Sequence, residues 1–176
     1  MQVEFINDDD FIKYKFKTKP FKHQYDVFLK SKDREAYALF MEQGTGKSKV
    51  IIDNIAYLYR KGKINCAIIS APKGVYRNWV ASEFKTHMPD DVKAFTDICI
   101  WNPAETKSNI ETLTNFLTPS HRLKFFIVNI EALSTDKGKN YLTRLLNTSN
   151  CLWTIDESSN IKNRTARRTK ACLKLG

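Results

Sequence analysis

The chain has 176 residues, which suits one domain with its own core rather than two. With 42% hydrophobic and 12% aromatic residues it reads as globular, which excludes a disordered tail or linker. Its 29 Lys and Arg against 19 Asp and Glu give a net charge of +10, which favours polyanionic partners without requiring one. Four cysteines, Cys66, Cys99, Cys151 and Cys172, are widely separated and form no C-x-x-C pair. With only three histidines beside them, a structural zinc site is not expected. The cysteine usage suits a reduced, intracellular protein. The N-terminus shows no signal-peptide pattern, and no apolar stretch approaches the roughly 20 residues of a membrane-spanning helix, so no membrane partner is expected.

Residues 12 to 19 alternate. Ile12, Tyr14, Phe16 and Thr18 face one way and Lys13, Lys15, Lys17 and Lys19 the other. A period of two predicts an extended strand with a lysine face. Such a face either borders a polyanion or blocks association at a sheet edge, and the second is favoured. Pro20 then introduces a helix in which Phe21, Tyr25, Phe28 and Leu29 recur at helical spacing. Within it the Gln24 amide donates and accepts at once, which matches the N6/N7 edge of adenine. His23 reads as a surface or packing residue.

The compact apolar run Ala36 to Met41 predicts a strand leading into Met41-Glu42-Gln43-Gly44-Thr45-Gly46-Lys47-Ser48, and a helical pattern leads out. Strand, glycine loop and helix are the context of a phosphate-binding loop. Without side chains at Gly44 and Gly46 the backbone can aim its N–H groups at one point, and the helix dipole adds to the field. Lys47 would then reach the β- and γ-phosphates of a nucleotide, with Ser48 on Mg²⁺. The full pattern has glycine where this chain has Met41. The competing reading is a glycine turn followed by a solvated helix start.

Val50, Ile51, Ile55, Leu58 and Tyr59 form the stripe of the following helix, with Gly62 as its stop. Ile64 to Ser70 predicts a buried strand, and Val75, Trp79, Val80 and Phe84 a helix running to Pro89. Phe95 to Trp101 predicts a strand. Ser108 with Glu111 predicts a capping box before Leu113, Phe116 and Leu117. Lys124 to Asn129 is a strand, Tyr141 to Leu146 a short helix, Cys151 to Ile155 a strand, and a basic helix starts near Arg164. Strands alternating with helices predict an α/β fold with a mostly parallel sheet covered on both faces. The strand Leu152 to Ile155 delivers Asp156 and Glu157 at its carboxyl end, where ligands of parallel sheets bind. Asp156 would hold Mg²⁺ and Glu157 would polarise the attacking water. The alternative is a strand end with two solvated acids.

Taken together, Phe21-Lys22-His23-Gln24, Met41 to Ser48, Ser70-Ala71-Pro72 with Trp79 and Glu83-Phe84, and Asp156-Glu157 with Ile161-Lys162-Asn163 resemble motifs Q, I, Ia and II of superfamily 2 helicases. The Ala-Pro…Trp…Glu-Phe run and the Asp-Glu-x-x-x-x-Lys-Asn arrangement look most like the SNF2-type DNA translocases. The resemblance covers nearly the whole chain. It implies a three-layer P-loop, RecA-like ATPase domain spanning residues 1–176, the first of two such domains. The second, expected outside this chain, would supply arginine fingers, so the chain alone is expected to hydrolyse ATP poorly. Phe21, Gln24, Glu42, Gln43, Gly44, Thr45, Gly46, Lys47 and Ser48 would hold ATP, with Mg²⁺ on Ser48 and Asp156. Lys47, Asp156 and Glu157 would be catalytic. DNA would be gripped by its backbone, without sequence preference, through Lys73, Arg77 and Asn129, with the basic segment Lys162 to Lys170 as a further candidate or as a solvated helix. Where the family has Asp-Glu-Ala-His or a near relative, this chain has Asp156-Glu157-Ser158-Ser159. The same chemistry would also serve the motor of a restriction or repair complex, or a binding module without a hydrolytic cycle.

Overall fold

A computed structural model describes residues 4–157, 163 and 165–175. The chain divides into two compact units, Met1–Lys63 with Trp79–Ala94, and Ile64–Asn78 with Phe95–Gly176.

The first unit is helical. The expected strand over 12 to 19 is instead a helix, α1 (Asp8–Tyr14), followed by Lys15 in the left-handed region at φ 52°. Local capping overrides the alternation. The Asn7 side chain accepts from the Asp10 N–H at 2.8 Å, and Asp8, Asp9 and Asp10 line the first turn, where the helix dipole favours acids. The lysines are dispersed: Lys17 pairs with Asp90, and Lys19 with Asp8 at 2.6 Å. Helix α2 (Lys22–Ser31) and the longer α3 (Lys47–Arg60) follow. Tyr25, Phe28, Phe16 and Val50 form an aromatic core, with Phe16 and Phe28 edge to face at 5.1 Å.

The strand expected over Ala36 to Met41 is absent. The segment is irregular, and Phe40 is 98% exposed. Leu39 and Met41 pack on the aromatic core, so the apolar run contributes side chains to the unit without joining a ladder. The helix expected over 75 to 84 is also modified. Residues 73–77 turn, and Trp79–Phe84 is a π-helix that buries Trp79 and Phe84. The short helices α4 (Lys85–His87) and α5 (Asp90–Lys93) complete this unit. Arg60 grips Asp91 with two bonds of 2.9 and 2.7 Å and donates to the Tyr14 carbonyl at 3.0 Å, tying α3 to α5 and to the end of α1.

The second unit is built on a parallel sheet of β1 (Cys66–Ala71), β2 (Thr96–Ile100), β3 (Leu123–Asn129) and β4 (Cys151–Ile155) in the order β2-β3-β1-β4. The expected α/β class with a parallel sheet is observed. The two central strands are apolar runs, as burial on both faces requires. In β1 and β3, Ile68, Phe126 and Val128 face one way and Ile69, Phe125 and Ile127 the other, all fully buried. The first set packs with α6 (Lys107–Leu117), α7 (Asp136–Thr148) and α8 (Arg167–Leu175), through Leu113, Leu117, Tyr141, Leu142, Leu145 and Cys172. Helix α6 starts one residue before the expected capping box. Thr106 is its cap, accepting from the Asn109 N–H at 3.3 Å. Helix α8 begins at Arg167, and the expected Arg164 start lies outside the described residues.

Candidate functional site

In the first unit, the glycine loop sits where α2 meets the start of α3. Gly44 and Gly46 adopt φ +79° and +85°, which side chains rarely tolerate. Gly46 also has no room for a Cβ, which would stand 2.3 Å from Gln24 Nε2. The reason is a clamp from α2. Gln24 is 4% exposed, accepts from the Phe21 N–H at 3.1 Å and donates from Nε2 to the Thr45 carbonyl at 3.0 Å. His23 Nε2 lies 3.1 Å from the same carbonyl oxygen and stacks on Phe21 at 5.8 Å. Two donors on one carbonyl hold the Thr45–Gly46 peptide with its oxygen toward α2. Because C=O and N–H of one peptide point in opposite directions, the Gly46 N–H is aimed away from α2. The Gln24 amide, expected at an adenine edge, is bonded at both ends here, to the Phe21 N–H and the Thr45 carbonyl.

The rest of the loop is bonded to itself. The Glu42 carbonyl accepts from Thr45 Oγ1 at 2.7 Å and from Lys47 Nζ at 2.9 Å, and Lys47 Nζ also reaches the Met41 carbonyl at 3.0 Å. Glu42, Gln43 and Gly44 are exposed, and Ser48 is half-buried in the first turn of α3. Backbone donors at the start of a 14-residue helix, glycines in the left-handed region, an ammonium and a hydroxyl form a donor set that fits a polyphosphate and its divalent cation. Further along α3 a buried ion pair joins Lys49 Nζ to Asp53 at 2.7 Å. Burial pushes the Asp53 carboxyl up to about 6, with Lys49 and Arg60 opposing, and its Oδ1 has no partner among the described residues. His87, which bonds Thr18 at 2.8 Å, is lowered by burial and by Lys49.

In the second unit the candidates gather at the carboxyl ends of the strands. Ser70 pairs with Ile155 and Ala71 with Asn129, so Asp156 and Asn129 flank the end of β1. The Asp156 N–H donates to the Ser70 carbonyl at 2.8 Å, and Trp153 Nε1 donates to the buried Ser70 hydroxyl at 2.9 Å. Sequence reasoning missed this Ser70–Trp153 bond, whose only signal was a hydroxyl inside an apolar run. Glu157 is exposed and adopts φ +52°, costing on the order of 1 kcal/mol for a residue with a side chain. Beyond β1, Val75 and Tyr76 N–H groups both return to the Pro72 carbonyl, at 2.9 and 3.0 Å, making a tight turn that exposes Lys73 and Arg77. Arg77 Nε bonds the Tyr76 hydroxyl at 3.2 Å, and Asn129 Nδ2 bonds Glu131 at 3.2 Å. Asn163 accepts from Thr165 N–H and Oγ1 at 3.0 and 2.7 Å near the start of α8. Ser158 to Lys162, which include Ser158-Ser159 and the first two residues of Ile161-Lys162-Asn163, lie outside the described residues.

Each unit therefore brings its own candidates together. The first joins Phe21, Gln24 and Glu42 to Ser48. The second places Asp156, Glu157, Lys73, Arg77 and Asn129 at or beyond the carboxyl ends of its strands. Among the described residues, no cluster of three His, Cys, Asp or Glu side chains could hold a metal, and no helix is long and apolar enough to cross a membrane. Residues 7–174 match the family described as type III restriction enzyme, res subunit. No curated protein matches the chain.

Proposed function

Because the chain belongs to the family of the type III restriction enzyme res subunit, a helicase-type P-loop ATPase domain of superfamily 2, we propose that it is the nucleotide-binding motor domain of an enzyme that moves on DNA. The clamp of Gln24 and His23 on the Thr45 carbonyl supports this reading best, because it orients the loop amides for an anion. Lys47 and the backbone of Glu42 to Gly46 hold the β- and γ-phosphates, with Phe21 and Gln24 on the base side. By the family's pattern Ser48 and Asp156 would be the Mg²⁺ ligands, and the ion would offset charge on the phosphates. Glu157 takes the proton of the attacking water. Residues 1–176 act as one ATPase domain, and a second RecA-like domain supplies the arginine finger.

Lys73, Arg77 and Asn129 contact the DNA backbone, which makes binding sequence-tolerant and steeply salt-dependent. The Ser70-Ala71-Pro72, Trp79 and Glu83-Phe84 run favours an SNF2-like translocation on duplex. The family match favours service in a restriction complex over repair.

Calorimetric titration of Mg²⁺–ATP into the chain and its Lys47→Ala variant tests the reading. The loss of one charge-assisted contact is expected to weaken binding by about 10- to 100-fold. Equal affinities would remove the glycine loop from the site.

A further inference from the structure

The end of the sheet opposite the acids carries its own row of chemistry. Register places Asp97, Lys124, Cys66 and Cys151 side by side, one on each strand from β2 to β4. Adjacent strand residues alternate faces, so all four belong to one face, that of Ile68, Phe126 and Cys99. Lys124 is 3% exposed. Its ammonium donates to the Leu117 carbonyl at 3.2 Å and lies 6.0 Å from the Phe116 ring. Among the described residues it has no carboxylate within ion-pair distance, and its neighbour Asp97 is held by Arg122 Nε at 2.7 Å. A buried cation without a counter-ion favours any anion that can form beside it. The groups able to form one are the two thiols.

The thiols are not equivalent. Cys66 is fully buried, whereas Cys151 is half-buried at the start of an edge strand. Cys151 Sγ lies 3.4 Å from the Ser149 carbonyl and 3.8 Å from the Leu145 carbonyl, and its strand neighbour Cys66 together with Lys124 draws the Cys151 thiol below its ordinary range against burial. The neighbouring Cys151 sulfur, together with burial, raises Cys66. Burial alone pushes Cys99 up to about 11, and it also raises Cys172. One thiol is thus reachable and disposed to ionise, and a second stands behind it as its direct strand partner.

We propose that Cys151 and Cys66 form a peroxide-reactive dithiol, in which Cys151 is oxidised first and Cys66 resolves it. The Cys151 thiolate attacks one peroxide oxygen. An S–O bond forms, the O–O bond breaks, and the leaving hydroxide takes up a proton as water. Cys66 then loses its proton and attacks the Cys151 sulfur. The S–S bond forms, the S–O bond breaks, and hydroxide leaves with that proton as a second water. The two thiols lose two electrons and hydrogen peroxide gains them. Strand neighbours lie about 4.8 Å apart, within the span of about 4.4 to 6.8 Å between the Cα atoms of a disulfide. The bridge would fasten β1 to β4, the strands that carry the Pro72 turn and the acid pair at their other ends.

The test treats the folded chain with equimolar hydrogen peroxide, blocks free thiols with N-ethylmaleimide and maps the peptides by mass spectrometry. The expected product joins the Cys66 and Cys151 peptides with loss of two hydrogens, while Cys99 and Cys172 are fully alkylated. Cys66→Ala should leave a Cys151 sulfenic acid that dimedone traps and that the unsubstituted chain does not accumulate. Lys124→Met should slow Cys151 oxidation by about tenfold. A measurement without substitutions guards against misfolded variants: iodoacetamide should alkylate Cys151 before the other three thiols. Comparable rates at Cys99 or Cys172, or oxidation of Cys151 to the sulfinic acid with Cys66 still free, would overturn the proposal.

Discussion

The glycine loop and the acid pair are built on different foundations. The loop stands on an irregular segment and is shaped by side chains from a neighbouring helix, chiefly Gln24 and His23 on the Thr45 carbonyl. The acids stand on β4, whose pairing with β1 runs through five consecutive residues and continues in the bond from the Asp156 N–H to Ser70. The loop can be reshaped by altering single contacts, because each of its bonds is local. Asp156 is set by a ladder, so a single substitution there changes chemistry while leaving position intact, and Glu157 follows it directly.

Glu157→Gln is the largest test of that contrast. With the proposed second RecA-like domain and DNA present, turnover should fall by about 10²- to 10⁴-fold, the usual contribution of a general base, while Mg²⁺–ATP affinity is retained. Turnover that survives would contradict the assigned role. Gly46→Ala should act oppositely. Its Cβ meets Gln24 Nε2 at 2.3 Å in a left-handed conformation, so the clamp must open. The strain alone costs on the order of 1–2 kcal/mol, and nucleotide affinity should fall before melting temperature does. Unchanged affinity would show that the clamp does not shape the loop.

Asp53 tests the support beneath the loop. Its folded pKa of about 6 exceeds the ordinary 3.8, so the folded state holds the proton more tightly. Its contribution to stability is full below pH 4, is lost as pH rises to about 6 and is flat above. The loss is on the order of 1–3 kcal/mol. Asp53→Asn should flatten denaturant midpoints across that window, and a profile identical to that of the unsubstituted chain would exclude Asp53 as the cause. The smallest effect is at Glu157, where Glu157→Gly relieves a positive φ and should raise the melting temperature by a few degrees while removing the acid. A lower melting temperature would mean that the side chain holds the strand end.

These differences mirror what the sequence made legible. The buried central strands β1 and β3 were readable because burial on both faces demands unbroken apolar runs, the half-buried edge strand β4 was readable from its short apolar run, and the acids followed from where β4 ends. Gly44 and Gly46 were readable because few residues other than glycine accept their φ values. Residues 12 to 19 misled because lysines alternate with aromatics by accident of packing, while the signal that decided the conformation lay upstream in Asn7 and three aspartates. Ala36 to Met41 misled because an apolar run states that side chains will be buried without stating whether its backbone will find a partner strand. His23 was discounted because nothing in its spacing announces a bond to a loop 22 residues away.

Lys47 shows what such a self-satisfied loop implies for selectivity. Its ammonium already rests on two carbonyls of its own loop, and a ligand must replace both to recruit it. A lone phosphate or a passing nucleic-acid backbone offers little beyond what those carbonyls supply. A triphosphate can engage the amide cradle and the lysine at once. For a chain with a net charge of +10, a cation folded inward would keep the proposed nucleotide seat from filling with miscellaneous anions.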